Sequence, residues 1–401
     1  MLYAALGILL LDIVQGFDGT EQLTSVKSAQ GMLRWSVPIM LAGLGGLFSE
    51  RAGIVNIGLE GMMILGTWFG AWGAIEFGAY GGLIVGALGG AIGGLIHGVA
   101  TIRFNVDHII SGVAINFAAP GVARYLSSEI FTGMQGGGIT QSPSVPGVGR
   151  FTMPLLAGGW GSPDWLGDLD QADIPFVSDV AGLSKGMMTD LSIATIIAFL
   201  IVPLSAWLLW KTRFGLRVRI SGENPHAAES QGIDVSRYRY IAVAISGALA
   251  GLGGAFIVSP ELSGIYLEGQ TNERGFIGLA ALIFGNWRPG GVMSGALLFG
   301  FIFGNGLIDF DGNASHALLL AMTILLLVVA FNAWRHDRRS DAIGASTLAV
   351  LLGGWYLFSD TVPDWWTDIL PFIIVLLVLV FLAQRLRMPR ALGQPYRAGD
   401  S

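Results

Sequence analysis

The chain has 401 residues, of which 53% are hydrophobic and only 12% are Asp, Glu, Lys or Arg, against about 25% charged in an ordinary soluble domain. So few charges cannot cover the surface of a water-soluble fold, and the absence of cysteine excludes disulfides, thiolate chemistry and Cys-liganded metal. The net charge of −6 says little about partners, because orientation in a bilayer follows where Lys and Arg fall; no nucleic-acid partner is expected. Glycine, at 60 residues, is about twice its usual share of ~7%, which in a membrane points to close helix packing.

Residues 1–16 are apolar but lack a basic leading segment and a small-residue cleavage site, and Asp12 interrupts them. A short first span or a membrane-surface helix is expected rather than a removable signal. A spanning helix needs roughly 20 mostly apolar residues. In chain order such runs fall at Trp35–Phe48, Ile57–Phe77, Tyr80–Thr101, Ile109–Leu126, Leu191–Trp210 and Ile241–Val258. Gly275–Gly285, Gly291–Phe310, Ala314–Trp334, Ala342–Phe358 and Trp366–Ala383 follow. The predicted fold is all-α, a polytopic transmembrane helical bundle of about 10–12 segments, several of them broken or short. Residues 1–401 are read as a single transmembrane domain.

Basic residues orient these runs. Lys211, Arg213, Arg217, Arg219, Arg237 and Arg239 place the 211–239 loop in the cytoplasm. Arg335, Arg338 and Arg339 mark a second cytoplasmic loop, and Arg385, Arg387, Arg390 and Arg397 a cytoplasmic tail over 384–401. The 128–190 loop is acidic, with Asp164, Asp168, Asp170, Asp173, Asp179 and Asp190 against Arg150 and Lys185, and belongs outside. The alternation closes if Gly275–Gly285 crosses as a short span, with Arg288 inside.

Within Tyr80–Thr101, Gly82, Gly86, Gly90, Gly94 and Gly98 recur every four residues and form one ridge suited to close backbone packing. Gly247–Ala255 (GALAGLGGA) repeats the character on another helix, through duplication or through shared Gly/Ala bias.

Polar groups inside spans are costly and are the default functional candidates. Ser49, Glu50, Arg51 and Asn56 interrupt the apolar pattern between two runs with no room for a long loop, and Glu60 stands one turn into the next span. Such a broken helix is tolerated only against protein or a water-filled cavity. Glu50 and Arg51 read either as a loop ion pair or as part of a site, and Glu60 as either a packing contact or a lumen residue. His108, Ser111 and either Ile115 or Asn116 share a helical face, which either lines a polar path or bonds helices together. In the cytoplasmic loop, Asn224-Pro225 opens a short helix, with Asn224 as N-cap and Pro225 at its first position, and Gly232 ends it. A capped helix in a basic loop reads as a docking element, or else as a solvated connector. Residues 273–291 form a short charge-flanked helix ending in Trp-Arg-Pro-Gly, where Trp287 fits an interface anchor.

No G-x-x-x-x-G-K-[ST] loop is present, and none of Lys27, Lys185 and Lys211 follows a glycine. There is no H-E-x-x-H, G-x-S-x-G or TVGYG-like motif, and the histidines show no metal-ligand spacing. An ion-coupled secondary transporter would need mid-membrane acids, for which Glu60 is the one candidate, and uptake without an ATPase. A membrane enzyme would need catalytic His, Asp or Ser clustered at one depth.

GLFSERAGIVNIGLEGMM (46–63), NVDHIISGVAINFAAPGVARYL (105–126), GLRVRISGENPHAAESQGIDVSRYRYIAVAISGALAGLGGAF (215–256), GFIGLAALIFGNWRPGG (275–291) and the tail MPRALGQPYR (388–397) together resemble one family. It is the permease subunits of ATP-binding-cassette (ABC) importers in the branched-chain amino acid/ribose superfamily. The E-R-x-G-I/V-V-N-x-x-x-E-G signature points to the nucleoside or simple-sugar subgroup. Residues 128–190 and an additional hairpin near 341–386 depart from the family pattern. The resemblance implies a passive pathway for nucleosides or related small solutes, or for sugars or branched-chain amino acids, in a bacterial inner membrane. It implies a second, non-identical permease subunit, two ABC ATPase subunits that bind the ATP, and an extracytoplasmic substrate-binding protein, with lipid around the spans and no cofactor on this chain. The implied pathway residues are Asn56, Glu60, His108, Ser111 and Asn116. The implied coupling residues are Arg217, Glu223, Asn224, Pro225, Ala228 and Gly232.

Overall fold

In the computed structural model, residues 2–20, 22–172, 174–306, 312–359, 362, 363, 369, 373 and 386–396 are described. The expected span Trp366–Ala383, together with Asp173, Arg385 and Arg397, lies outside them apart from residues 369 and 373. Helices follow one another as α1 (Leu2–Asp18), α2 (Val26–Arg51), α3 (Leu59–Gly98), α4 (His108–Ile130), α5 (Trp165–Asp170), α6 (Val177–Gly186) and α7 (Ile193–Lys211). Then come α8 (Arg213–Glu223), α9 (Pro225–Ser230), α10 (Val235–Val258), α11 (Arg274–Phe284), α12 (Pro289–Gly306), α13 (Gly312–Arg335) and α14 (Arg339–Phe358). Among the described residues 7 helices are long and apolar enough to cross a membrane. Among the described residues six starts carry a side-chain cap of the expected type: Asp107 for α4, Asp164 for α5, Ser192 for α7, Thr212 for α8, Asn224 for α9 and Asp234 for α10.

The chain divides into two compact units. The first comprises Met1–Leu33, Phe151–Leu191 and Phe301–Ala383. In it the His316 ring stacks on Tyr356 at 4.2 Å, and Asp18 Oδ1 lies 2.9 Å from His316 Nδ1 and accepts from the Tyr356 hydroxyl at 3.2 Å. One carboxylate thereby ties α1, α13 and α14 together. Asp179 on α6 accepts from Gln15 at 2.8 Å and from Thr24. The acidic 128–190 stretch contains α5 and α6. There the Lys185 ammonium, 2.6 Å from Asp164, holds that carboxyl below the usual carboxylate range.

The second unit comprises Arg34–Arg150, Ser192–Gly300 and Gln384–Ser401, and α3 is its centre. As a continuous helix the 40 residues of α3 would reach about 60 Å at 1.5 Å per residue, twice the ~30 Å hydrocarbon core. Gly78, with φ 77° and ψ 174°, breaks it instead. Gly82 lies against Ala74, Gly86 against Gly66 and Gly70, Gly89 against Phe69, and Gly93 against Met62. The partners descend as the glycines ascend, so the arms 59–77 and 79–98 are antiparallel. These are the two expected runs, joined by one residue.

The glycine ridge of the second arm meets α10. A side chain on Gly90 would strike Gly247 and Gly251, one on Gly94 would strike Val243, and one on Gly251 would strike Gly86. On the first arm, Gly66 faces Gly251 in the same way. The two Gly/Ala segments that resemble each other in sequence thus pack on each other. Lipid supplies no hydrophobic force to join helices, so this close approach is what dispersion can use.

Candidate functional site

Between α2 and α3, residues 52–58 are not helical and are mostly buried, which takes buried backbone groups out of the helical ladder. Side chains replace the ladder. Ser49 Oγ donates to Ile54 O at 2.7 Å, and Arg239 Nε donates to Ala52 O at 3.1 Å. Val55 is held on both sides: its N–H donates to His108 Nδ1 at 3.2 Å, and its carbonyl lies 2.9 Å from His97 Nε2. In the neutral imidazole, donation from Nε2 leaves His97 Nδ1 to accept, and Ser111 Oγ stands 2.9 Å from it. Asn116 closes the far end, donating to Ile57 O at 3.0 Å and accepting from the Gly61 N–H at 2.8 Å. α4 approaches so closely that the Cβ of any residue replacing Gly112 would lie 2.8 Å from Gly58 N.

Asn56, fully buried, donates to Ser246 Oγ at 2.8 Å while its Oδ1 has no hydrogen-bond partner. Glu60 turns to a different element. It accepts from the Glu273 N–H at 3.2 Å and the Gly275 N–H at 2.7 Å, so a carboxylate from α3 satisfies the exposed N–H groups that begin α11. Gly275 is required there, because a Cβ would meet the Glu60 backbone. At 11 residues, α11 is about 16 Å long, half a hydrocarbon core.

Two expectations change at the other end of α11. Trp287 is not an interface anchor but is packed within the protein: Asn286 and Trp287 adopt left-handed backbone, φ 51° and 55°, and the indole is 4% exposed. Its Nε1–H donates to Glu50 Oε2 at 2.6 Å. Glu50 thus faces Trp287, while Arg51 reaches Glu223 at 3.9 Å and donates to Trp287 O at 2.7 Å.

The loop 211–239 folds into α8 and α9. Asn224 Oδ1 accepts from the Ala227 N–H at 3.0 Å, Pro225 opens α9, and Gly232, at φ 73°, follows its end. Pro225 and Ala228 point inward and are buried, whereas Glu223, Asn224, His226, Ala227, Ser230, Gln231 and Gly232 are exposed. Arg217, also exposed, donates to the Tyr238 hydroxyl at 2.6 Å. The end of α8 abuts the broken segment, since a side chain on Gly222 would strike Arg51 and Gly53.

Comparison with known proteins decides the family. The family model for branched-chain amino acid transport system permease components matches residues 28–329. The chain belongs to this family. A guanosine ABC transporter permease protein of Bacillus subtilis is 32% identical over 374 residues, covering 92% of this chain and 95% of the relative. A nucleoside ABC transporter permease protein of Lactococcus lactis is 37% identical over 278 residues, 67% of this chain and 78% of that protein. A putative glucose ABC transporter permease protein of Haloferax volcanii is 32% identical over 279 residues, 68% of this chain and 76% of that one. No solved structure gives a significant match. The chain is an ABC transporter permease and a multi-pass plasma-membrane protein.

In this permease, Asn56, His108, Ser111 and Asn116 gather around the 52–58 break, while Glu60 points away from it to α11. Sequence reasoning missed His97, Ser246 and the role of Arg239. His97 carried a signal, standing on the glycine ridge seven residues after Gly90. Arg239 was indistinguishable from ordinary loop charge, although it is 2% exposed and bonded to Ala52 and Ser221.

Proposed function

We propose that this permease forms the translocation pathway for nucleosides or related small solutes. The observation that carries the reading is the broken segment. Its backbone is held out of helical geometry by side chains from α4 and α10 and from the second arm of α3, and non-helical backbone between two long apolar helices is tolerated where it is buried in protein or lines a polar path. Asn56, Glu60, His108, Ser111 and Asn116 are the pathway and framework residues of this reading. The similarity to a guanosine and a nucleoside permease supports the substrate class. Sugar uptake is the second reading, favoured by the similarity to a putative glucose permease.

The chain carries no phosphate-binding loop, so ATP is bound by separate ATPase subunits on the cytoplasmic side, where α9 docks. Arg217, Glu223, Asn224 and Gly232 offer exposed groups to that partner, and Pro225 and Ala228 seat the helix on its own chain. A second, non-identical permease completes the path, in keeping with similarity to both members of a pair of guanosine permeases from one bacterium. An extracytoplasmic binding protein delivers the solute. The test is co-expression and purification with a candidate ABC ATPase. Deletion of 224–232 is expected to abolish its co-purification and [³H]guanosine uptake into vesicles. Intact association after the deletion would remove α9 as the docking element, and uptake of glucose but not guanosine by the intact complex would select the sugar reading.

A further inference from the structure

The tail residues 386–396 run along α8, α9 and the broken segment, joining elements distant from one another in sequence. The Arg387 N–H donates to Asn286 Oδ1 at 2.7 Å, and the Arg390 N–H to Glu223 Oε2 at 3.3 Å. The Ala391 N–H donates to Gly222 O at 2.9 Å, and the Gly393 N–H to Gly53 O at 3.0 Å. The first of these two carbonyls lies in the last turn of α8, where helical partners run out. The second lies in the broken segment. Two N–H groups two residues apart therefore pin α8 to the break.

Tyr396 ends this strap. Its ring is 6% exposed and packs on Ala228 and Val235, with the His226 ring 5.5 Å away. Burial, reinforced by a hydrogen bond with Glu229, pushes the phenol up to about 12. The Arg239 guanidinium lies 5.2 Å from the ring centre, within range of a cation–π contact. The same guanidinium holds Ala52 O at 3.1 Å and Ser221 O at 3.4 Å. A contiguous path therefore runs from Ala228 through Tyr396 and Arg239 to Ala52.

That path matters because of how α9 is attached. The helix has only 6 residues. It is flanked by Asn224, whose φ of −154° and ψ of 88° are not helical, and by Gly232 in the left-handed region. Backbone joints at both ends would absorb a displacement of α9 before α8 or α10 felt it. Tyr396 contacts α9 between the joints, on its buried face.

We propose that the strap 386–396 makes α9 and the broken segment one mechanical body, with Tyr396 as the positioning residue that carries movement of α9 to Ala52 and Gly53. The inference rests on α9 being the ATPase docking helix.

The experiment compares Tyr396→Ala and Tyr396→Phe in the complete transporter in vesicles, measuring ATPase co-purification, ATP hydrolysis and [³H]guanosine uptake. Tyr396→Ala is expected to retain the ATPase and its hydrolysis but to lose about tenfold in uptake per ATP, a coupling change of the size single positions produce. Tyr396→Phe, which keeps the ring, is expected to restore the wild-type ratio. A Val55→Cys reporter in this cysteine-free chain is expected to change its maleimide reactivity on ATP addition in the native tail and not in Tyr396→Ala. Should Tyr396→Ala not accumulate, Ala391→Pro removes one strap N–H without trimming a side chain, and the same loss of uptake per ATP is expected. Wild-type uptake per ATP in Tyr396→Ala, or in Ala391→Pro where Tyr396→Ala does not accumulate, overturns the strap while leaving docking intact. Failure of the unmodified chain to hold the ATPase overturns the docking reading itself.

Discussion

Along the α3–α10 seam the backbone groups are engaged within their own helices, and the sequence contributes the absence of side chains at Gly66, Gly90, Gly94, Gly247 and Gly251. At residues 52–58 the helical partners are missing, and the sequence contributes side chains that carry donors and acceptors, from Ser49, His97, His108, Asn116 and Arg239. Both regions lie in the same unit and both depend on backbone approach. The seam is specified by volume and admits no added methyl. The break is specified by hydrogen-bonding capacity, so replacing a polar group by an apolar one of similar size should harm it.

The largest effect is expected where volume is tested. Gly90→Val would drive a side chain into Gly251, whose Cα already lies 2.6 Å from an ideal Cβ, and should cost about 3 kcal/mol, near the upper end for overpacking. Heat or SDS unfolding in detergent measures this. Gly344→Ala, with nothing within 4 Å of the added atom, should unfold like the native chain. If both behave alike, the seam is not the close-packed element described.

Chemistry is tested next. Asn116→Leu keeps the bulk but leaves Ile57 O and Gly61 N without their partner, at about 2 kcal/mol for stranded buried groups. Equal unfolding midpoints for Asn116→Leu and the native chain would show that the break holds itself. The smallest effect, about 1 kcal/mol, is expected for Glu60→Gln, which retains one acceptor oxygen and turns an amide N–H toward the start of α11. Expression should persist while uptake falls. Unchanged uptake would leave Glu60 a cap for α11 and nothing more.

Much of this contrast is readable from sequence on the volume side. A glycine every four residues announces a ridge, and two Gly/Ala segments of like character turned out to be partners. The short helix α9 was readable too, because Asn224, Pro225 and Gly232 act on backbone within a few residues of themselves. The position of the break was readable from Ser49 to Glu60, but not what holds it. His97, Arg239 and Gly393 reach it from distant parts of the chain, and pairings over such separations leave no periodic trace. Trp287 went astray for a related reason: the left-handed turn that buries it falls on Asn286 and Trp287, not on a glycine that would have flagged it.

Gly78 bears on how the chain enters the bilayer during synthesis. A one-residue turn leaves no hydrophilic loop to be hauled across, and the one charged residue beside it is Glu76, of the sign that weighs least in orienting spans. Both arms of α3 can therefore pass from the insertion machinery into lipid as a single unit. Phe77 and Tyr80 at its tip are 64% and 50% exposed, placed to come to rest at headgroup level as aromatic side chains do. The glycines that will receive α10 are then already aligned when that later helix is made.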